Sequence, residues 1–522
     1  MYREDVMAET GTRFDDEYNA AVDLIARNLA AGRADKPAFI DINGTHTYGD
    51  VERLSNKVAN AMTGLGVRRE QRVLMCMLDT VDFVAVFLGC IKAGIVPVPV
   101  NTRLTAKDYS FMLDDSRAAA LVVSEPLYPL FEKDIDAHPD LEKVIVSGAD
   151  SLGHKSLSDL IAGASDSFEP ERTRLDDMCF WLYTSGTTGM PKGAVHLHSH
   201  LIETANLYAK PILGIKEDDV VYSAAKLFFA YGLGNGLTFP MAAGATAILH
   251  AGPPDAAAVV SILRDKNPTI FYGVPTLYGM LLASGQLPKQ GEHALRLCTS
   301  AGEALPAELM RRWKEATGTD ILDGIGTTEM LHIFLSNSAD DIKPGTTGKP
   351  IPGYDLRLVD EDGNPVPAGE MGTLEVSGPT SAIMYWNQRE KSRDTFRGPW
   401  TRTGDKYTVD ADGYYTYAGR TDDMMKVGGI YVSPFEVETA VLTHECVLEV
   451  AVVGQPDQDD LVKPKAYVVL NQGHSASDDL AQALIDHAKA ELAAFKRPRW
   501  IEFVEELPKT ATGKIQRYKL RL

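Results

Sequence analysis

Five cysteines in 522 residues are too few and too scattered to staple a fold. Cys76, Cys90, Cys179, Cys298 and Cys446 form no CxxC pair, and their odd number excludes a complete disulfide framework. Zinc-ligand spacing is missing as well. Most of the five lie in apolar runs, where reduced core thiols are expected, as suits a cytoplasmic protein. Positive charge is also short: 52 Lys and Arg face 72 Asp and Glu, a net charge of −20. Such an acidic field repels polyanions and argues against a nucleic-acid or anionic-membrane surface. Clean hydrophobic runs are absent too. The most apolar stretch, residues 83–100, is interrupted by Lys92, Gly94, Pro97 and Pro99 and reads as a buried helix followed by a strand, with no membrane insertion. The first residues, MYREDVMAETGTRF, lack the apolar core of a signal peptide. There is neither an internal repeat nor a low-complexity segment.

What is present is a long alternation. Short apolar runs at 73–78, 96–100, 119–123, 144–147, 179–183, 269–273, 297–300 and 321–323 are separated by helical patterns such as 82–92. Strands alternating with helices predict α/β layers with largely parallel sheets covered by helices. After about Gly345 polar turns (Glu361-Asp362-Gly363-Asn364, Asp410-Ala411-Asp412-Gly413) separate runs at 356–359, 373–377 and 414–417, the signature of antiparallel hairpins in a small barrel or sheet. Beyond Arg420 a β-α-β pattern follows, with strands at 447–453 and 466–470 and a helix at 478–492. The expected division is 1–420 for a large N-terminal domain of helix-covered mixed sheets plus a β-barrel-like subdomain, and 421–522 for a small α+β C-terminal domain. The tail from Phe495 to the end carries eight Lys or Arg against three Glu. On charge alone that reads as a solvated helix face.

The loudest local signal follows the 179–183 strand: Thr184-Ser185-Gly186-Thr187-Thr188-Gly189-Met190-Pro191-Lys192-Gly193. Glycines permit close backbone approach, so successive N–H groups can converge on an anion. Hydroxyls add donors and Lys192 adds positive charge. The Walker A spacing is absent. The segment therefore reads as a phosphate loop of another kind.

It resembles the signature loop of the adenylate-forming superfamily, which includes acyl- and aryl-CoA synthetases. Further motifs occur in the expected order: Ser300-Ala301-Gly302-Glu303; Asp323-Gly324-Ile325-Gly326-Thr327-Thr328-Glu329; Thr403-Gly404-Asp405; a hinge-like Gly419-Arg420-Thr421-Asp422-Asp423-Met424-Met425-Lys426; and Pro508-Lys509-Thr510-Ala511-Thr512-Gly513-Lys514. Ile325 stands where many members have an adenine-stacking tyrosine. The resemblance implies ATP, Mg²⁺ and coenzyme A, with Thr184 among the catalytic residues and nucleotide contacts from Ser185 to Gly189, Lys192, Ser300 to Glu303, Asp323 to Ile325 and Thr328. It also implies Asp405 on the ribose, Arg420 on ribose or phosphate, and Glu329 as the Mg²⁺ ligand. Lys514 is then the catalytic lysine that meets carboxylate and α-phosphate together, and acetylation there would silence the enzyme by removing its charge. Rotation of the C-terminal domain about Asp422 would exchange Lys514 for the loop Lys426-Val427-Gly428-Gly429, lining a pantetheine tunnel; the two glycines read equally as a plain turn.

The acid is indicated by two segments. Phe229, Ala230 and Tyr231 fall in the family's acyl region, without the acidic residue that holds an ammonium in amino-acid-activating relatives. Gly326 can form a flat slot that His332 and Ile333 close, although His332 equally reads as a core histidine. Bulky ends on a short cavity favour a small aromatic carboxylate, and FFAYGLGNG with TTEMLHIF and VGGIYVSPFEVE looks most like benzoate–CoA ligases. The alternatives are a hydroxy- or aminobenzoate, or a cyclic aliphatic acid.

Overall fold

The computed structural model describes residues 17–133, 135–184, 190–421, 423–427, 430–458, 461–509 and 515–521. Two sheets carry the N-terminal part. One has nine strands, in the order Lys349–Pro350, Ile333–Ser336, Ile321–Gly326, Leu297–Ser300, Ile270–Gly273, Val220–Ser223, Thr246–Ile248, Pro37–Asp41, Gly44–Thr47. Its centre is parallel and both edges are antiparallel. The other, all parallel, has five: Val96–Pro99, Arg72–Cys76, Ala118–Ser124, Lys143–Ser147, Lys155–Ser156. Central strands of parallel sheets are covered on both faces, which is why their sequences read as unbroken apolar runs.

The apolar stretch resolves as the helix Val81–Lys92 followed by the strand Val96–Pro99. Almost every residue of that helix is buried, Lys92 included. Lys92 donates to Asn56 Oδ1 at 2.6 Å, and burial lowers its ammonium to about 8. A Cβ on Gly89 would lie 2.7 Å from the Ser55 carbonyl oxygen, so only glycine lets this helix pack so closely on Tyr48–Gly64. The latter begins with a reciprocal cap between Thr47 and Asp50. Among the described residues, no helix is long and apolar enough to cross a membrane. All five cysteines are free and buried.

Two expectations need correction. The 179–183 run is not a member of a parallel sheet. It forms the strand Met178–Thr184, paired antiparallel with Lys192–Leu197 in a separate hairpin. Its apolar character comes from packing on the cores beneath both sheets, which an unbroken run cannot distinguish from a central parallel strand. Nor is the basic tail a solvated helix face. Its described residues contain the strand Trp500–Phe503 and a short helical turn, Arg517–Lys519. Four of its eight cations are taken up by acids: Lys496 by Glu436 at 2.5 Å, Lys509 by Glu449 at 2.6 Å, Arg517 by Glu438 at 2.8 Å, and Arg521 by Asp423.

An antiparallel sheet (Asp355–Val359, Gly372–Ser377, Trp400–Val409, Phe396–Arg397, with Tyr415–Arg420 on Trp400–Val409) follows the nine-stranded sheet. Beyond it, Val447–Pro456, Val462–Leu470 and Trp500–Phe503 form a three-stranded sheet with the helices Pro434–Leu442 and Asp478–Glu491. Their buried side chains make cores separate from those of the N-terminal sheets.

Candidate active site

The phosphate hairpin leaves and returns at one place, because Thr184 and Lys192 are register partners. Ser185, Gly186, Thr187, Thr188 and Gly189 lie outside the described residues. Lys192 sets its ammonium 4.4 Å from the centroid of the Tyr385 ring. The Tyr385 hydroxyl donates to Glu329 Oε1 at 2.5 Å. Burial, then the Glu329 charge, hold that phenol protonated far above neutrality. Lys192 and Glu329, predicted from motifs far apart in the chain, therefore meet on one aromatic side chain.

Glu329 sits on the short turn Thr328–Met330, just past the strand Ile321–Gly326. Thr327 caps the turn through Met330 N–H at 3.2 Å, and Leu331 leaves it with a φ of 65°. The Glu329 carbonyl accepts from Ala382 N–H at 2.7 Å. The Thr328 carbonyl accepts from His196 Nε2 at 2.8 Å. A carbonyl only accepts, so Nε2 carries the His196 proton. Burial lowers that imidazole to about 4, so it is neutral at pH 7.

The ends of the parallel strands supply the next group. Ser300 and Asp323 are buried register partners on adjacent strands. Ser300 Oγ and Asp323 Oδ1 have no hydrogen-bond partner among the described residues. Burial holds the Asp323 carboxyl well above the usual carboxylate range. Ala301 is buried and Gly302 exposed at the same strand end; Gly324 and half-buried Ile325 continue the neighbouring strand. Glu303 meets Thr276 Oγ1 at 3.1 Å and accepts the backbone N–H of Ile515 at 3.1 Å. The residue after Lys514 thus touches the Ser300–Glu303 turn. Lys514, Asp422, Gly428 and Gly429 lie outside the described residues. Lys426 is exposed.

Asp405 and Arg420 are register partners on antiparallel strands, 3.1 Å apart, and Arg420 also donates to the Thr403 carbonyl at 3.0 Å. Gly404 adopts a φ of 77°, and a Cβ there would lie 3.0 Å from the Arg420 guanidinium.

The acyl segment begins at a buried anchor. Asp79 accepts Leu227 N–H at 3.3 Å. Burial raises its carboxyl to about 6 despite the opposing charge of Lys226. Lys226 donates to the carbonyls of His250 and Gly252. Phe229 then precedes the helical turn Ala230–Leu233, which widens into a π segment, Gly234–Thr238. Tyr231 bonds Thr299 Oγ1 at 2.5 Å, and its carbonyl accepts from His332 Nε2 at 3.3 Å. His332 is buried, and burial lowers it to about 3. Its ring lies 4.4 Å from Phe239, 5.5 Å from Tyr208 and 5.6 Å from Tyr231, centroid to centroid. A Cβ on Gly234 would fall 2.6 Å from His332 Nε2, and one on Gly326 2.6 Å from the His332 carbonyl carbon. Ile333 is buried beside Gly324. The result is an aromatic box three residues from Glu329.

Sequence reasoning missed Tyr385, Tyr208, Phe239, Asp79 and His196. Tyr208 and Phe239 stand in or beside π segments, and no local motif marks them. The histidine spacing in His196-Leu197-His198-Ser199-His200 was a visible but unread signal.

A hairpin strand linked through one tyrosine to a carboxylate, strand-end polar groups and a small appended domain define a class. The chain belongs to the AMP-binding enzyme family, whose model matches residues 26–386, with the AMP-binding enzyme C-terminal domain matching 436–514. Among its relatives, the benzoate–CoA ligase of Thauera aromatica is 59% identical over 97% of this chain and 96% of that protein. The 4-hydroxybenzoate–CoA/benzoate–CoA ligase of Rhodopseudomonas palustris is 47% identical over 97% of this chain and 94% of that one. A benzoate CoA ligase structure from Burkholderia xenovorans LB400 superposes with a TM-score of 0.91 at 51% identity, covering 97% of this chain and 100% of its own. The mixed α/β architecture, with a large N-terminal and a smaller C-terminal part, is shared with that structure.

Proposed function

We propose that the protein is an ATP-dependent benzoate–CoA ligase. The benzoate carboxylate attacks the α-phosphorus of ATP, forming benzoyl-adenylate and expelling diphosphate. The thiol of coenzyme A then attacks the acyl carbon, forming the thioester and releasing AMP. The observation that carries the reading is the closed aromatic box around His332, set beside the turn that bears Glu329. Buried His332 with the rings of Phe239, Tyr208 and Tyr231 around it suits a flat aryl group better than a long chain. The 59% identity to a benzoate–CoA ligase over 97% of the chain supports the same reading.

In the first step two anions must approach, so positioning and electrostatic stabilisation carry the catalysis. The hairpin backbone and Lys192 hold the phosphates, Asp405 the ribose hydroxyls, and Lys514 the carboxylate and α-phosphate. Glu329 fits Mg²⁺: it is a hard oxygen donor joined through Tyr385 to Lys192 at the phosphate hairpin. Mg²⁺ is commonly bound by one or two carboxylates together with nucleotide oxygens and water, and supplies charge neutralisation on the phosphates. The contact of Ile515 with Glu303 supports an adenylate-forming arrangement of the C-terminal part. Rotation about Asp422 brings Lys426, Gly428 and Gly429 to the thiol step.

The test is acid-dependent exchange of diphosphate into ATP, followed by thioester formation with coenzyme A. Benzoate is expected to have the highest kcat/KM in a panel of hydroxybenzoates, aminobenzoates, cyclohexanecarboxylate and hexanoate. Exchange with a non-aromatic acid but not with benzoate refutes the assignment.

A further inference from the structure

Tyr385 lies outside every motif used above, yet it touches two of the groups the chemistry needs. Its backbone runs beside the return strand of the phosphate hairpin: Ile383 N–H donates to the Val195 carbonyl at 3.0 Å, and Trp386 N–H to the Gly193 carbonyl at 2.8 Å. The same segment reaches the other way, through Ala382 N–H to the Glu329 carbonyl at 2.7 Å. Residues 382–386 therefore stitch the phosphate hairpin to the Glu329 turn. Between these strands the Tyr385 side chain is buried, with its ring against Phe396 at 5.3 Å. Its hydroxyl donates to Glu329 Oε1, and Lys192 stands over its face.

A phenol serves two opposite charges at once. Its hydroxyl is a neutral donor to the carboxylate, and its ring face attracts the ammonium through the quadrupole. The bond engages Oε1 and orients the carboxylate, while Oε2 takes no hydrogen bond from the described residues and can coordinate. The ring face holds the Lys192 ammonium at the base of the phosphate hairpin, 4.4 Å from the ring centroid. From this geometry we infer that Tyr385 is a positioning residue that presents Glu329 to the divalent cation and keeps Lys192 aimed at the nucleotide phosphates. The inference rests on the reading of Glu329 as the metal carboxylate given above.

Tyr385→Phe keeps the ring and deletes the hydroxyl. Mn²⁺ binding is followed by electron paramagnetic resonance with a non-hydrolysable ATP analogue, and metal-free analogue binding is measured in EDTA. The substitution is expected to weaken Mn²⁺ about tenfold and to raise the Mg²⁺ concentration for half-maximal exchange by a similar factor. Metal-free binding stays at the wild-type value. A merely structural role would instead weaken both kinds of binding together, and that result overturns the inference, as does wild-type Mn²⁺ affinity. Tyr385→Leu removes the ring as well and is expected to weaken metal-free binding; unchanged binding there overturns the Lys192 half. Glu329→Gln separates the two levels. If it binds Mn²⁺ like the wild type, the metal-carboxylate reading itself fails, and the role of Tyr385 falls with it.

Discussion

Adding one methyl group at Gly234 tests the aromatic box without touching a reacting group. The Cβ of Gly234→Ala would stand 2.6 Å from His332 Nε2 and 3.1 Å from Phe239 Cζ, where ordinary contact begins near 3.4 Å. The imidazole must move by ~1 Å, and it is boxed by Phe239 on one side and Tyr208 on the other. Overpacking of this kind costs about 1–3 kcal/mol. The displacement also breaks the bond from His332 Nε2 to the Tyr231 carbonyl, a net loss of about 1 kcal/mol. If half of that strain is relieved by pushing the ring into the slot, benzoate loses about 1.4 kcal/mol of binding, or tenfold in KM. Steady-state diphosphate exchange should show that rise in KM for benzoate, with KM for ATP unchanged. Thermal unfolding should report a small loss of stability. A variant with wild-type KM for benzoate would show that the space beside Gly234 is not the acid slot, and the substrate argument would fail with it.

Three further outcomes are expected. Lys514→Ala, or acetylation of Lys514, should slow adenylate formation by about 10²–10³, judged from the loss of a single charged donor at a developing oxyanion, while supplied benzoyl-adenylate still reacts with coenzyme A; equal first-step rates would refute the lysine's role. Asp422→Pro should leave adenylate formation intact and abolish thioester formation, read by separate exchange and thioester assays; loss or survival of both counts against domain alternation. Stability should fall as the pH drops from about 6.5 towards 4, because burial holds His196 and His198 at about 4 and His332 at about 3, so the unfolded chain binds protons that the native chain refuses. Each lowered histidine contributes on the order of 3 kcal/mol that is fully present above its unfolded value near 6.5. Asp79, raised to about 6, acts in the opposite sense, favouring the native state as pH falls from about 6 to 4. His332→Gln should flatten the acid limb of a denaturant-midpoint profile; an unchanged limb would refute the assignment.

Legibility varied with the range of the interaction. The motifs that carry Lys192, Glu329, Asp405 and Arg420 stood out because each is written in contiguous residues. Tyr385 was not: its function needs Lys192 from one motif and Glu329 from another. Nor were Tyr208 and Phe239, whose rings reach His332 from helices whose local sequence looks like ordinary core. The 179–183 run misled because an apolar strand is equally apolar in a parallel sheet and in a hairpin packed over two cores.

Taken by itself, the order of residues determined the layered α/β plan and the ladder of motifs, since periodicity and local backbone chemistry act over a few positions along the chain. The tertiary structure alone decided which charges in the basic tail are consumed by acids, that one phenol joins lysine to carboxylate, and that three rings wall a buried histidine. Those are contacts between segments tens to hundreds of residues apart, and only the packed fold brings them within reach.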